Sequence, residues 1–238
     1  MKQGTIYLIP CPISDDRAVW DVLPSANAEV MNSLDYFIVE NTRTARRFLS
    51  KAHIERPISE LEFVELNEHT TSTADVERML QPILAGRSAG VISEAGVPGV
   101  ADPGADIVRI AHRHGVRVVP LVGPSSILMV MMASGQNGQS FAFVGYLPIK
   151  EPERSRTIKS LERRAQQERQ AQIFIEAPYR NCKLFETLLA TLAPNMLLTV
   201  AADITAPDEL ILTLSVAEWR RRPMPNIEKR PTIFVLGI

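Results

Sequence analysis

The 238-residue chain has only two cysteines, Cys11 and Cys182, far apart in sequence. Two are too few for a disulfide framework, and their spacing matches no zinc motif, so both read as reduced thiols and no metal is expected. Long apolar stretches are also missing. The longest, Ile127 to Ala133, is far too short to span a bilayer. Met1-Lys2-Gln3-Gly4 runs straight into a strand-like segment, so the expectation is a cytoplasmic protein with no leader peptide and no membrane partner. The first strand is not followed by a Gly-x-Gly-x-x-Gly fingerprint, and no Gly-rich Lys-Ser/Thr phosphate loop occurs anywhere. A formal net charge of -1 gives no overall pull toward nucleic acid or membrane. No internal repeat or low-complexity segment stands out.

What is present is an ordinary globular composition, 45% hydrophobic and 22% charged, enough for one large domain or two small ones. Charge is uneven: residues 1–140 carry 12 Lys/Arg and 16 Asp/Glu, residues 141–238 carry 14 and 11. The stretch Ser93-Glu94-Ala95-Gly96-Val97-Pro98-Gly99-Val100-Ala101-Asp102-Pro103-Gly104 stands out. An apolar strand, Ala89 to Ile92, precedes it. A helix pattern with Ile107, Val108, Ile110 and Ala111 on one face follows it, with Asp102 suited to cap that helix and Pro103 to its first position. Three glycines and two prolines give a loop that a ligand can approach closely and that holds its shape beforehand. Open α/β sheets bind ligands in such loops, at the carboxyl ends of parallel strands.

Strands are expected at Thr5–Ile9, Tyr36–Val39, Phe63–Leu66, Ala89–Ile92 and Val116–Val119, alternating with helices. That alternation predicts a parallel sheet covered on both faces. Asn41 or Thr42 can cap a helix carrying Arg43, Arg46, Arg47 and Phe48. The rigid turn from Pro120 to Ser126 places a domain boundary, giving an N-terminal α/β domain over 1–120 and a C-terminal domain over 121–238. Ser125 or Ser126 can cap a methionine-rich run that is apolar all round and hence expected to be buried at the domain joint. Beyond it, strands at Phe141–Tyr146, Ile173–Ile175, Leu197–Ala202, Leu210–Leu214 and Thr232–Leu236 lie close together and predict a mixed sheet with antiparallel pairs. The helix over 151–170 carries seven basic residues, counting Lys150, and four acidic ones, and reads as solvated.

Several segments, in order and at these separations, resemble the tetrapyrrole methylase family of S-adenosylmethionine-dependent methyltransferases. They are Gly4-Thr5-Ile6-Tyr7-Leu8 with Pro12-Ile13, Val39-Glu40-Asn41-Thr42-Arg43, Ser93 to Pro98 with Ala101 to Gly104, and Gly123-Pro124-Ser125. Gly145-Tyr146-Leu147-Pro148, Glu176-Ala177-Pro178-Tyr179-Arg180 and Asp203-Ile204-Thr205 complete the set. Within that family the pattern is most similar to the branch that methylates a ribose 2′-hydroxyl of small-subunit ribosomal RNA. The resemblance implies two α/β domains with the cofactor S-adenosylmethionine in the cleft between them, a homodimer, and small-subunit RNA or the 30S subunit as partner. It assigns to the cofactor Pro10, Pro12, Ser93, Glu94, Ala95, Gly96, Pro98, Asp102, Pro124, Ser125, Ser126, Ala177, Pro178 and Ala202. The chain departs from the branch at several positions. Asn41 stands for aspartate, Ser14-Asp15 for Gly-Asn, Glu94 for aspartate, Val97 for threonine, Ala177-Pro178-Tyr179-Arg180 for Ser-Pro-His-Arg, and Ala202-Asp203-Ile204-Thr205-Ala206 for Arg-Glu-Leu-Thr-Lys. The last change removes two positive charges.

Deprotonating a ribose hydroxyl needs a general base. Glu176, Asp203 and Glu94 are the foremost candidates, Glu40 and His69 lesser ones, and Asp102 reads better as a helix cap. RNA would be met by basic and aromatic side chains: Arg43, Arg46 and Arg47, a second group of Lys150, Arg154, Arg156 and Lys159, and Tyr146, Tyr179 and Arg180. Two other readings stay open here, a methyltransferase for a small molecule such as a tetrapyrrole, and a catalytically weak cofactor-binding protein.

Overall fold

The structure is a computed structural model that describes residues 2–66, 72–101 and 104–238. The chain forms two compact units, Met1–Ser125 and Ser126–Ile238, so the division lies at 125/126, where the sequence pattern suggested 120/121.

The first unit contains β1 (Thr5–Ile9), α1 (Val19–Val22), α2 (Ala26–Ser33), β2 (Tyr36–Val39) and α3 (Thr42–Lys51). Next come β3 (Glu62–Glu65), α4 (Thr73–Leu84), β4 (Ala89–Ile92), α5 (Gly104–Arg113) and β5 (Arg117–Pro120). Its five strands are all parallel, in the order β3-β2-β4-β1-β5. The inner strands β2 and β4 are buried at every position, whereas β3 and β5 at the edges have exposed ends. That follows from their sequences: Tyr-Phe-Ile-Val and Ala-Gly-Val-Ile have no polar residue to turn outward, as strands covered on both faces require. On one face Ile6, Ile38 and Val91 pack with Leu80 and Ile83 of α4 and Ile107 and Ile110 of α5. On the other, Ile9, Phe37 and Val39 pack with Met31 of α2 and Ala45 and Leu49 of α3. The helices α1 and α2 are not announced by any clear periodicity in the sequence.

The second unit contains α6 (Ser126–Ser134), β6 (Phe141–Tyr146), α7 (Glu153–Glu168), β7 (Ala171–Ile175), α8 (Asn181–Thr191), β8 (Leu197–Ala202), β9 (Leu210–Ser215), α9 (Val216–Trp219) and β10 (Thr232–Gly237). The sheet order is β6-β7-β10-β8-β9, with β6 and β7 parallel and the other neighbours antiparallel. Phe174 and Phe234 stack at 5.7 Å between centroids, in a core shared with α7 and α8. Trp219 meets Phe185 edge-on at 5.3 Å and donates its indole N–H to the Leu198 carbonyl at 2.8 Å.

Two expectations need correction. Within its own unit α6 is not buried all round. Val130 and Met131 pack onto the sheet, while Leu128 and Met132 on the opposite side are 54% and 84% exposed. The charged helix α7 is not simply solvated either, because Arg154 and Glu162 are buried with Ile158, Leu161 and Ala165. Among the described residues, no helix is long and apolar enough to cross a membrane.

Candidate active site

Strands β4, β1 and β5 are neighbours, so the loops that follow them leave the same edge of the first sheet. Two reciprocal backbone hydrogen bonds tie the first two loops together. The Cys11 N–H donates to the Gly96 carbonyl at 2.8 Å, and the Gly96 N–H donates to the Cys11 carbonyl at 3.1 Å. Gly96 holds φ at +72°, a conformation that favours glycine. The Cys11 thiol donates to the Ser93 carbonyl at 3.3 Å. The third loop is seated on the first. A Cβ at Gly123 would lie 2.3 Å from both Cβ and Cγ of Pro10, so only glycine allows that contact. The Asn27 amide holds the same loop by donating to the Val122 carbonyl at 2.9 Å.

Pro10, Pro12, Ser93 to Pro98, Pro124 and Ser125, widely separated in sequence, are therefore collected at one place. Ser126 begins α6 in the second unit. Asp102 and His69 lie outside the described residues. Ser93 is 8% exposed, and its hydroxyl oxygen is buried with no hydrogen-bond partner among the described residues. A buried polar atom left open at a loop mouth fits a ligand that completes it.

A pocket beside these loops is lined by Cys11, Pro12, Ser93 and Glu94 on one side, and by Thr44 and Arg47 of α3 on the other. The helix is anchored by Asn41, whose side-chain oxygen accepts from the Arg43 and Thr44 N–H groups at 2.9 and 3.3 Å. Asparagine and aspartate cap helices about equally well, so the Asn41 departure preserves this local structure. Glu65 accepts the Thr42 N–H at 2.9 Å, which lowers its pKa below the ordinary carboxylate value. The exposed Glu94 carboxylate accepts from the Thr44 hydroxyl at 2.5 Å. Arg47 and Lys51 both pair with Asp15. Of the expected arginine group only Arg47 lines this pocket. Arg43 is exposed elsewhere on α3, and the Arg46 guanidinium sits 5.2 Å over the Phe63 ring. Glu40, at the end of β2, lines a smaller pocket with Ser93 and Pro98.

In the second unit β6, β7 and β8 run parallel to one another and end at one edge, with Tyr146 beside Ile175, and Thr232 beside Ala202. This groups Tyr146, Ala177, Pro178, Tyr179, Arg180, Ala202 and Asp203. Glu176 is also there, but as an internal charge. Its carboxylate accepts from Arg154 at 3.1 Å, from Arg180 Nε at 2.9 Å and from the Ala177 N–H at 2.8 Å, and the side chain is 1% exposed. A carboxylate so engaged is a poor general base, and Arg154, expected on an RNA-facing surface, is its buried partner. Asp203 is engaged as well, pairing with Arg230 Nε at 2.5 Å on a backbone turned to φ +48°. Tyr146 and Tyr179 are 64% and 70% exposed, and the Arg180 guanidinium lies 4.7 Å above the Tyr179 ring. The hydrogen bond to Glu176 holds the Arg180 pKa above its ordinary value. Tyr146, Lys150, Ala177 and Arg180 line a shallow groove.

Arg154, Arg230, Gly123 and Asp15 are the structurally important residues that motif reading did not single out for these roles. Each acts through a contact distant in sequence, and only the Gly123-Pro124 dipeptide gave a local signal.

Residues 20–219 match the family of Tetrapyrrole (Corrin/Porphyrin) Methylases, and the chain belongs to that family. By that membership it is a methyltransferase, with S-adenosylmethionine as its methyl donor. Among individual proteins, it is 28% identical over 233 residues to the ribosomal RNA small subunit methyltransferase I of Xylella fastidiosa, covering 98% of this chain and 80% of that protein. It is 30% identical to the protein of the same name from Vibrio cholerae, over 90% of this chain and 69% of the relative. Among solved structures, its fold is similar to that of the methyltransferase CobJ, with a TM-score of 0.63 at 18% identity, covering 98% of this chain and 94% of that one. The Thermus thermophilus uroporphyrin-III C-methyltransferase, solved with S-adenosylhomocysteine, aligns with a TM-score of 0.53 at 16% identity, over 98% of this chain and 97% of that one.

Two substitutions test these assignments. Gly123→Ala forces the third loop off Pro10 and is expected to weaken S-adenosylmethionine binding about tenfold, or about 1.4 kcal/mol, by calorimetry. Glu176→Gln leaves the buried Arg154 guanidinium without its counter-charge and is expected to destabilise the second unit by about 3–5 kcal/mol. Denaturant unfolding followed by Trp219 fluorescence in a Trp20→Phe background reads that unit. Unchanged stability with lost methyl transfer would restore Glu176 as a catalytic residue.

Proposed function

We propose that the chain methylates a ribose 2′-hydroxyl of small-subunit ribosomal RNA, acting on the RNA or the 30S subunit in the cytoplasm and as a homodimer. The observation that supports this best is the convergence of the three loops beside a pocket with an exposed acid, Glu94, and a cation, Arg47. The similarity to ribosomal RNA methyltransferases over most of the chain supports the RNA substrate.

When bound, S-adenosylmethionine supplies a methyl group on a positive sulfonium, which an aligned hydroxyl oxygen can take by in-line displacement. The residues that would hold it in the first unit are Pro10, Pro12, the Ser93–Pro98 loop and the Pro124-Ser125 turn. Ser93 offers its open hydroxyl, and the loop carbonyls suit a positive group. Glu94 is the base in this reading, because Glu176 and Asp203 are held by arginines. It removes the hydroxyl proton on a carboxylate that Thr44 orients. Arg47 meets a phosphate of the RNA, which positions the strand without reading its sequence. The exposed Tyr146 and Tyr179 rings, with Arg180 stacked on one of them, suit an unpaired base.

A small-molecule substrate is the second reading. The absence of Lys and Arg from Ala202 to Ala206, where the ribosomal branch has two, favours it.

Transfer of label from S-adenosylmethionine to small subunits lacking their ribose methylations decides between the two. The expected result is label in the RNA, mapping to one ribose. Glu94→Gln should lower the transfer rate about 100-fold while cofactor affinity changes less. No label in RNA, together with saturable cofactor binding, would favour the small-molecule reading.

A further inference from the structure

The loop after β1 places a carboxylate against two cations of α3. Asp15 Oδ2 lies 2.7 Å from Arg47 Nη2, and Asp15 Oδ1 lies 3.1 Å from Lys51 Nζ. The two cations are one turn apart on α3, so they present on the same side of the helix, and all three residues line the pocket that also holds Ser93 and Glu94. Two carboxylate oxygens spanning an arginine and a lysine resemble two oxygens of a phosphodiester in geometry and charge. The loop itself is braced: the Ser14 hydroxyl donates to the Asp16 carboxylate at 3.0 Å and accepts the Asp16 N–H at 3.1 Å. Asp15 is well exposed, with 64% of its side chain accessible, so an incoming anion can compete with it.

From this we infer that Asp15 is a specificity-setting residue that occupies the phosphate-binding position of Arg47 and Lys51. RNA must displace it to engage both cations. The inference rests on the RNA reading above and adds an internal competitor to it. Its consequence is selective binding. An isolated strand, making few contacts, fails to displace Asp15, whereas a substrate held also at other points succeeds. Removing the carboxylate frees both cations and makes binding stronger and less discriminating.

The test is binding of a fluorescein-labelled 15-nucleotide single-stranded RNA, followed by anisotropy across a sodium chloride series, for wild type, Asp15→Asn, Asp15→Ala, Arg47→Ala and the Asp15→Asn/Arg47→Ala double variant. Both Asp15 variants should bind about three- to tenfold more tightly at low salt, with a salt slope steeper by about one to two, as each freed cation displaces a counterion from the RNA. Arg47→Ala should remove most of that gain in the double variant. Unfolding midpoints of all the variants, read by tryptophan fluorescence, control for folding. If the Asp15 variants bind like wild type while Arg47→Ala weakens binding, the role of Asp15 is overturned and the RNA reading stands. A gain that persists in the double variant overturns the pairing of Asp15 with Arg47. If no variant binds the RNA at any salt concentration, the inference falls, and the RNA reading is decided separately by label transfer to small subunits.

Discussion

Two backbone hydrogen bonds between Cys11 and Gly96 hold the first unit's site together. They join the loop after β1 to the loop after β4, across strands that already pair in register from Ile6 and Ala89 to Ile9 and Ile92. The third loop depends on this arrangement, because Gly123 rests on Pro10, the residue just before Cys11. A proline at the contact fixes φ and a glycine removes the side chain that would block it. The candidate site is therefore set largely by backbone geometry rather than by a glycine-rich phosphate fingerprint. Side chains add the chemistry at the rim: Ser93 with its open hydroxyl, Glu94 with Thr44, and Arg47 with Asp15.

Charge is managed differently in the second unit. Glu176 sits inside, neutralised by Arg154 and Arg180, and this trio fixes the turn that presents Tyr179 to solvent. Arg230 does similar work for the Asp203 turn, bonding Asp203 and Asp208 and capping its reach on the Asn226 carbonyl. Asp203 and Thr205 both hold positive φ, an arrangement that costs non-glycine residues energy and that these contacts keep in place. Of the three foremost acid candidates, Glu176 and Asp203 are held by arginines, whereas Glu94 is exposed.

Much of the fold is legible in the sequence because its signals are local. Tyr36–Val39 and Ala89–Ile92 are short apolar runs ended by polar or loop-forming residues, and both are strands with those bounds. The alternation of helix and strand before residue 120 announces the parallel sheet, and the close spacing of strands after 141 announces the mixed one. The loops expected to hold the cofactor are legible for the same reason, as glycine and proline mark them. What is not legible is pairing at a distance. Arg154 reads as one more exposed cation in a charged helix, and only the fold brings it to Glu176, 3.1 Å away. Asp15 gives no hint in sequence that it meets α3. The exposed side of α6 is equally hidden, since hydrophobicity alone does not say which face the sheet covers.

The most direct test of the central claim, that the three joined loops hold the cofactor, is a backbone amide NMR titration with S-adenosylhomocysteine. Saturable shifts should concentrate at Cys11, Ser93 to Gly96, Gly123 and Ser125, with the α4 and α5 amides unmoved. Shifts confined to other parts of the unit, or none at millimolar ligand, would contradict the account and leave the convergence of these loops as a feature of the fold alone.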